Sequence, residues 1–224
     1  GGESTRPGAD PVSLEEELDR VVPVVEAIAD RFPEALISVD TYKPEVARAT
    51  LKAGAHLLND VTGLRHFPET ADVAAEFGAP LILMHSVEGP GELTSTTPYD
   101  DVTGDVESSL QGSLSIAEEA GVRHVVTDPG FGFGKTIDDN LRLVNTVDQL
   151  VEIGRPVLVG ISRKSIIGAL LGTDDAPAPV GDRLFGTLGA TAVAVMRGAS
   201  LVRTHDVGPT VEFLSVLGRT LQQT

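Results

Sequence analysis

Short apolar runs alternate with longer amphipathic stretches from residue 35 to the end of the chain. Each run is nearly continuously apolar, as strands buried on both faces of a parallel sheet are. The sequence predicts six strands, at 35–40, 56–59, 80–85, 124–128, 156–162 and 200–205. Between and after them, helical patterns span 45–53, 69–77, 101–120, 138–153, 183–197 and 210–221. This alternation predicts βα units around a parallel sheet.

Breaker residues support these boundaries. Five glycines follow helical stretches and precede strands, where a left-handed helix terminus favours glycine: Gly54, Gly78, Gly121, Gly154 and Gly198. Ahead of the first strand, 13–16 (SLEE) matches a capping box that opens a helix over 14–31. A short helical stretch over 166–171 follows Ser165, which could be its N-cap or could help bind a carboxylate.

The predicted fold class is α/β. Six strands with their helices and one leading helix fit a TIM (β/α)₈ barrel that lacks its first two strands and first helix. An open doubly wound sheet is the alternative, but the even spacing and the missing dinucleotide fingerprint favour the barrel. We expect one domain over residues 1–224, incomplete at its N-terminus, with surface loops at 86–100 and 173–181.

Composition narrows the class of protein further. There is no cysteine, which excludes disulfides and thiolate metal sites. The formal charge of −16 disfavours nonspecific nucleic-acid binding, which needs clustered Lys and Arg. No apolar stretch is long enough to span a membrane, so we expect a cytoplasmic protein with no membrane partner. The excess of acidic residues, 33 against 17 basic ones, is also consistent with adaptation to high salt.

Polar residues close successive predicted strands. Asp40, Asn59 and Asp128 end three of them, and Lys164 and Arg203 lie at the ends of two more. Any one of these could be a helix cap or a loop polar group. Ligands of parallel α/β folds bind at the carboxyl ends of strands, however, so five such positions predict one active site.

The residue types suggest a ligand with two parts. Two carboxylates and an amide can receive and donate the hydrogen bonds of an aminopyrimidine ring. Arg6, Lys164, Arg203 and His205 supply the cationic groups that an anionic part such as a phosphate would need.

The glycine-rich segment 128–136 (DPGFGFGKT) matches neither of two nucleotide-binding motifs. Pro129 stands where a Walker A loop needs glycine, and the glycine spacing is one residue short of the dinucleotide pattern. The glycines still permit close backbone approach to a ligand. Phe133 could cover a ring there, and packing within the loop is an equal alternative.

Seven segments together resemble the dihydropteroate synthase family of pterin-binding enzymes over the whole chain. They are GGESTRPGA (1–9), ISVDTYKPEVA (37–47), LLNDV (57–61), LMH (83–85), DPGFGFGK (128–135), VGISRKS (159–165) and RTHDV (203–207). The resemblance implies a transferase of folate biosynthesis. Such an enzyme condenses (7,8-dihydropterin-6-yl)methyl diphosphate with 4-aminobenzoate and releases pyrophosphate. Its partners would be these small molecules and a second copy of the chain.

The resemblance also implies roles for individual residues. The pterin would be bound by Asp40, Asn59, Asp128 and Lys164. The aminobenzoate would be bound by Thr5, Arg6, Phe133 and Ser165. The diphosphate would be bound by Arg6, Arg203 and His205. Arg6, Lys164, Arg203 and His205 would be the catalytic groups. Mg²⁺ is the implied cofactor, but the family's asparagine that contacts it belongs to a segment expected before residue 1. The alternatives are a pterin-dependent methyltransferase, which has no diphosphate to stabilise, and an inactive pterin-binding fragment.

Overall fold

The structure is a computed structural model that describes residues 2–4, 9–86, 99–173 and 176–222. Within these residues six strands alternate with helices. The strands are β1 (Ser38–Asp40), β2 (Leu57–Asp60), β3 (Leu81–Met84), β4 (Val125–Asp128), β5 (Leu158–Val159) and β6 (Leu201–Val202). The α-helices are α1 (Leu14–Arg31), α2 (Pro44–Lys52), α3 (Glu69–Phe77), α4 (Val102–Glu119), α5 (Ile137–Asn145), α6 (Val147–Val151), α7 (Ser165–Leu171), α8 (Leu184–Met196) and α9 (Val207–Leu221).

The strands pair in the order in which they occur along the chain. β1, β2, β3 and β4 form one parallel sheet, and β5 pairs in parallel with β6. A parallel bridge between Thr127 and Val157 joins the two sheets. A doubly wound sheet reverses its strand order at a switch point, and this sheet does not reverse within the described residues.

The wall of strands is strongly curved. The Arg203 guanidinium, just after β6, lies 3.3 Å from Asn59 Oδ1 in β2. In a flat sheet these strands would be four spacings of about 4.8 Å apart, or about 19 Å, farther than an arginine side chain reaches. The contact therefore requires the sheet to curl toward a barrel, which brings the strand ends to one mouth.

Continuous apolar runs form the strands because both faces of the sheet are covered. Leu58, Leu81 and Leu83 are fully buried beneath α1, α2 and α3 in one hydrophobic cluster. A second cluster packs Val157 and Val159 against α5, α6 and α8. At about 25 cal/mol for each Å² of apolar surface removed from water, this burial is the main force that holds the helices on the sheet.

Most predicted element boundaries agree with the structure to within a few residues. α1 and α3 match their predicted spans, and Glu16 N donates to the Ser13 hydroxyl, the first half of the predicted capping box. The five glycines predicted to end helices all have positive φ. The described residues include no helix long and apolar enough to cross a membrane.

Two predicted helices were wrong in their extent. The stretch 138–153 is two helices that break at Thr146, where φ is −117° and the hydroxyl donates to the Arg142 carbonyl. This local bond competes with the helical pattern. The last helix starts at Val207 instead of Thr210, because Pro209 is tolerated in a first turn, where its missing N–H costs nothing.

Candidate active site

Asp128 lies at the centre of the mouth, at the end of β4. Its side chain is 1% exposed. Oδ1 accepts a hydrogen bond from Gly130 N at 2.8 Å, and Oδ2 accepts one from the Arg203 guanidinium at 3.0 Å. Both carboxylate oxygens are therefore satisfied, as a buried carboxylate requires.

Arg203 crosses the mouth from β6. Besides Asp128 it donates to Asn59 Oδ1, and Asn59 itself is buried at the end of β2. The guanidinium passes over Gly160, where an added Cβ would lie 3.0 Å from Nη2. Glycine at this position thus leaves room for the arginine. The sequence placed Arg203 with the anionic part of a ligand, and in the structure it also contacts two residues of the heterocycle group.

Asp40 ends β1 on the rim of the same mouth. Its side chain opens to solvent, but the protein surrounds it on its other sides. This partial desolvation raises the pKa of the Asp40 carboxyl, with a further contribution from the charge of Asp128. Arg203 and a hydrogen bond from Asn59 oppose the rise. Three predicted acceptors, on β1, β2 and β4, are therefore electrostatically coupled to one arginine.

Lys164 reaches into the mouth from the turn before α7. Its ammonium donates to the Phe131 carbonyl and lies 3.9 Å from the centroid of the Phe133 ring, a cation–π contact. Desolvation lowers the pKa of Lys164 to about 8, and the charge of Arg203 acts in the same direction. Asp128 and Asp40 oppose this shift by attraction.

The loop that carries Phe133 is braced by residues that the sequence analysis did not select. Lys135, 8% exposed, donates to the carbonyls of Gly130 and Phe133 at 2.9 and 3.0 Å. Asn140 accepts from Gly132 N at 2.7 Å. Desolvation lowers the pKa of Lys135 to about 7. The sequence gives no signal for these roles, because the partners are main-chain groups brought near by the turn.

His205 is held by another unselected residue, Ser162. The Ser162 hydroxyl lies 3.0 Å from His205 Nδ1 and accepts from the His205 main-chain N–H at 3.1 Å. A pocket of about 280 Å³ is lined by Gly160, Ser162, Lys164, Arg203, Thr204 and His205. Three of the four residues predicted to be catalytic thus share one concavity, and Arg6 lies outside the described residues.

The remaining predicted residues are placed less centrally or not described. Ser165 is the first residue of α7 and therefore not its N-cap, which was one of the two roles left open for it; Lys164 is the N-cap and makes no side-chain capping bond. Ser165 is exposed beside the mouth. Thr5, like Arg6, lies outside the described residues.

A second cavity is larger than the pocket at the mouth, but its lining is unsuited to polar chemistry. It has a volume of about 350 Å³ and lies between α5, α7 and α8, with mostly aliphatic lining and no titratable side chain. None of the described residues predicted for the site lines it. The candidate chemistry is therefore at the mouth.

Comparisons with known proteins identify the family of the chain. The family model described as "Pterin binding enzyme" matches residues 1–205. Dihydropteroate synthase of Escherichia coli (strain K12) is 46% identical over 223 residues, 99% of this chain and 77% of that protein. A probable bifunctional folylpolyglutamate synthase/dihydropteroate synthase of Haloferax volcanii is 47% identical over 218 residues, 96% of this chain and 25% of that protein.

Solved structures give the same result and confirm the TIM-barrel fold. Yersinia pestis dihydropteroate synthase, solved as a sulfonamide complex, has a TM-score of 0.90 and 40% identity, covering 100% of this chain and 79% of that one. The Thermus thermophilus enzyme, solved with 4-aminobenzoate, has a TM-score of 0.88 and 44% identity, covering 97% and 81%. The resemblance inferred from the sequence is confirmed: the chain belongs to the pterin-binding enzyme family, within the dihydropteroate synthases, and is a transferase.

Proposed function

We propose that Asp40, Asn59, Asp128 and Lys164 bind the pterin ring of a pterin methyl diphosphate at the barrel mouth. The observation that carries this proposal is the double hydrogen bond from Arg203 to Asn59 and Asp128. The amino-pyrimidinone edge of a pterin contains the same N–C–N donor arrangement as a guanidinium. The acceptors are thus spaced to receive two donors from one planar group of that kind.

The same arrangement suits a reaction that generates positive charge. When the methylene C–O bond to diphosphate breaks, the electron pair leaves with pyrophosphate and the pterin methylene becomes cationic. Asp128, buried and preorganised, and Asp40 supply negative charge near that carbon. The amine of 4-aminobenzoate then forms the new C–N bond and loses a proton, which completes dihydropteroate.

Cationic groups for the leaving pyrophosphate lie beside the ring site. Lys164, Arg203 and His205 line the pocket of about 280 Å³, and Ser162 orients His205. We assign Arg203, His205 and Arg6 to the diphosphate and Arg6, Lys164, Arg203 and His205 to catalysis. A methyltransferase acting on a methylated pterin would have no use for this cationic pocket, so the pocket favours the synthase reaction.

Aminobenzoate would bind on the side of Phe133 and Ser165, with Thr5 and Arg6 completing the site. Phe133 presents its ring close to Lys164, where a second ring could pack, and Ser165 is exposed beside it. That the Thermus thermophilus and Xanthomonas albilineans relatives were solved with 4-aminobenzoate supports this substrate.

Magnesium dependence stays a prediction. The described residues contain no group of three or more His, Asp or Glu side chains that could hold a metal ion. Mg²⁺ commonly binds through one or two protein ligands together with substrate phosphates. A magnesium ion would therefore be held mainly by the substrate diphosphate, whose charge it would neutralise.

We further propose that the chain forms a homodimer through its last helices. Thr210 is the buried residue of α9, while Val207, Val211 and Val216 are 60%, 58% and 68% exposed. Phe185 on α8 is 83% exposed. A second copy could cover these apolar side chains. Sedimentation equilibrium of the wild type and of Val216→Glu would test this, since the charge should shift the mass toward the monomer.

The decisive experiment measures both binding and turnover. The chain, at low and at high KCl, is incubated with the pterin diphosphate and 4-aminobenzoate, and dihydropteroate is quantified. Calorimetry separately measures binding of the pterin diphosphate by wild type and Asp128→Asn, a variant that keeps the shape but loses the charge. We expect product from the wild type and a loss of about 2 kcal/mol in binding for the variant. Absence of both product and pterin binding would contradict the proposal.

A further inference from the structure

The main chain turns sharply at Arg163, between β5 and α7. Its φ is +58°, a left-handed conformation that a residue with a Cβ keeps only when its surroundings hold it there. On one side of the turn Ser162 contacts His205, and on the other Lys164 reaches into the mouth. The conformation at Arg163 therefore sets the directions in which Ser162 and Lys164 leave the main chain.

The main chain of this turn is fixed by the start of α8. Arg163 N donates to the Thr187 hydroxyl at 3.2 Å, and Thr187 is 1% exposed. The Arg183 guanidinium donates to the Arg163 carbonyl at 2.9 Å. These bonds hold the left-handed turn against α8. They do not reach the segment after β6, which carries His205.

The side chain of Arg163 does reach that segment. Nε donates to Asp206 Oδ2 at 2.9 Å, and Nη2 donates to Oδ1 at 2.5 Å, so the planar guanidinium binds both carboxylate oxygens. Asp206 directly follows His205, and its side chain is 17% exposed. We call this pair the Arg163–Asp206 fork. It joins two segments that lie 43 residues apart in the chain.

Asp206 makes this contact in place of the one that its position favours. It is the N-cap of α9, where an aspartate commonly accepts a hydrogen bond from a main-chain N–H of the first turn. Its side chain makes no capping bond here. The hydrogen bonds from Arg163 lower the pKa of Asp206, so the carboxylate is ionised at neutral pH. The carboxylate thus stabilises the contact between the two segments and not the helix.

We propose that the Arg163–Asp206 fork sets the spacing of Lys164 and His205 across the pocket of about 280 Å³. Each of these two pocket residues is the chain neighbour of one fork residue, so a shift of the fork displaces both. Arg163 and Asp206 do not themselves line the pocket and act as positioning residues. This inference rests on the proposed roles of Lys164 and His205 in the reaction. A misplacement of about 1 Å can cost about 100-fold in rate, so their spacing matters for turnover.

Two conservative substitutions test the fork. Arg163→Lys keeps the charge but loses the planar pair of donors, and Asp206→Asn keeps the shape but loses the charge. If the two residues act as a unit, the double variant should be no worse than either single variant. The same substitutions in the exposed pair of Arg155 and Glu118 are the matched control.

We expect kcat and the affinity for inorganic pyrophosphate each to fall about tenfold in the single variants and in the double variant. Both should stay within about twofold of the wild type in the controls, and KM for 4-aminobenzoate should stay within about twofold in every protein. Calorimetry measures the pyrophosphate affinity. A mere loss of folded protein would lower the apparent kcat and leave that affinity unchanged, so the two roles are distinguishable.

The His205 side chain reports on the fork without any substrate. Its imidazole C2–H signal in the proton NMR spectrum is identified by its absence in His205→Asn. We expect this signal to shift or broaden in Arg163→Lys and Asp206→Asn and to stay in place in the controls. A changed signal with nonadditive losses supports the inference. An unchanged signal, an unchanged pyrophosphate affinity or additive losses overturn it.

The two proposals fail in different ways. If the wild type forms no dihydropteroate, the proposed function is what fails, and the His205 signal still decides whether the fork positions that side chain. If the wild type is active and the fork variants behave as the controls do, the positioning role is what fails.

Discussion

At the scale of single residues, the mouth keeps its buried acceptors satisfied before a ligand arrives. Asp128 is almost fully buried, and without Arg203 its Oδ2 would lack the hydrogen bond at 3.0 Å. The arginine side chain is 42% exposed and that of Asp128 is 1% exposed, so the buried carboxylate needs a charged donor but not this particular guanidinium. A ligand that brings equivalent donors can therefore displace the guanidinium at small cost and release it toward the leaving group.

Replacement of Arg203 should affect the two halves of the substrate differently. In Arg203→Ala, binding of the pterin diphosphate should weaken by about 2 kcal/mol, or about 30-fold, because charge-assisted bonds to phosphate are lost. Binding of a pterin without diphosphate should be unchanged or tighter, since its competitor for Asp128 is gone. Isothermal calorimetry with the two ligands measures both effects. An equal loss for both ligands would show that Arg203 binds the ring and not the diphosphate.

The pKa of Lys164 predicts an alkaline limit to binding. Burial lowers that pKa to about 8, so the side chain is charged below pH 8 and neutral above it. If the cation binds the substrate, affinity for the pterin diphosphate should fall toward tenfold for each pH unit above 8. In Lys164→Arg the charge persists, and the fall should disappear. Fluorescence titrations from pH 6.5 to 9.5 measure this affinity. An equal fall in affinity above pH 8 in the wild type and in Lys164→Arg would contradict the prediction.

Sequence reasoning found the residues that end strands and missed those that brace them. Asp40, Asn59 and Asp128 stand out because a polar residue ends an apolar run. Ser162 does not, because its partner is the main chain of His205, 43 residues away, and only the folded barrel brings the two within 3.1 Å. Lys135 does not, because its partners are the carbonyls of Gly130 and Phe133, which only the folded turn directs at the ammonium.

At the scale of elements, the turn after β4 depends on one glycine. Gly130 has φ +70°, and a Cβ there would lie 1.9 Å from the His85 carbonyl oxygen at the end of β3. The same residue donates its N–H to Asp128. The turn therefore sets both the approach of β3 to β4 and the orientation of the central carboxylate.

Alanine at this position should be severely destabilising. Gly130→Ala combines left-handed strain of about 1–2 kcal/mol with backbone overlap, for a total of at least about 3 kcal/mol. Gly121→Ala is the matched control, because it also has positive φ but nothing lies within 4 Å of its Cβ position. The free energy of unfolding of Gly121→Ala should fall only by the cost of the left-handed strain, about 1–2 kcal/mol. Urea unfolding gives both values, and equal losses would show that the overlap is relieved without cost.

Element types were predictable because apolar runs and helix-ending glycines are local signals. The break at Thr146 was not, since it arises partly from a contact between the hydroxyls of Thr103 and Thr146 at 2.8 Å, far apart in sequence. Tertiary contacts of this kind override a continuous helical pattern. The start of α9 was placed too late for a different reason. Proline usually marks the end of a helix, but Pro209 lies in the first turn of α9, where proline is tolerated.

At the scale of the whole molecule, the fold of the barrel and its net charge are determined by different sets of residues. The strand order and curvature follow from burial of both sheet faces, whereas the net charge of −16 lies mainly on exposed side chains. Like charges on a surface repel and disfavour the compact state. The fold therefore tolerates the acidic surface without requiring it.

Screening that repulsion should stabilise the protein. The Debye length falls from about 10 Å at 0.1 M salt to about 3 Å at 1 M, so the free energy of unfolding should rise with KCl over this range. The triple variant Asp19→Asn, Glu26→Gln, Asp30→Asn removes three exposed negative charges from α1 and should depend less on salt. Urea unfolding at several KCl concentrations compares the two proteins. If stability falls with KCl, or if the triple variant gains as much as the wild type, the acidic surface is not what limits stability at low salt.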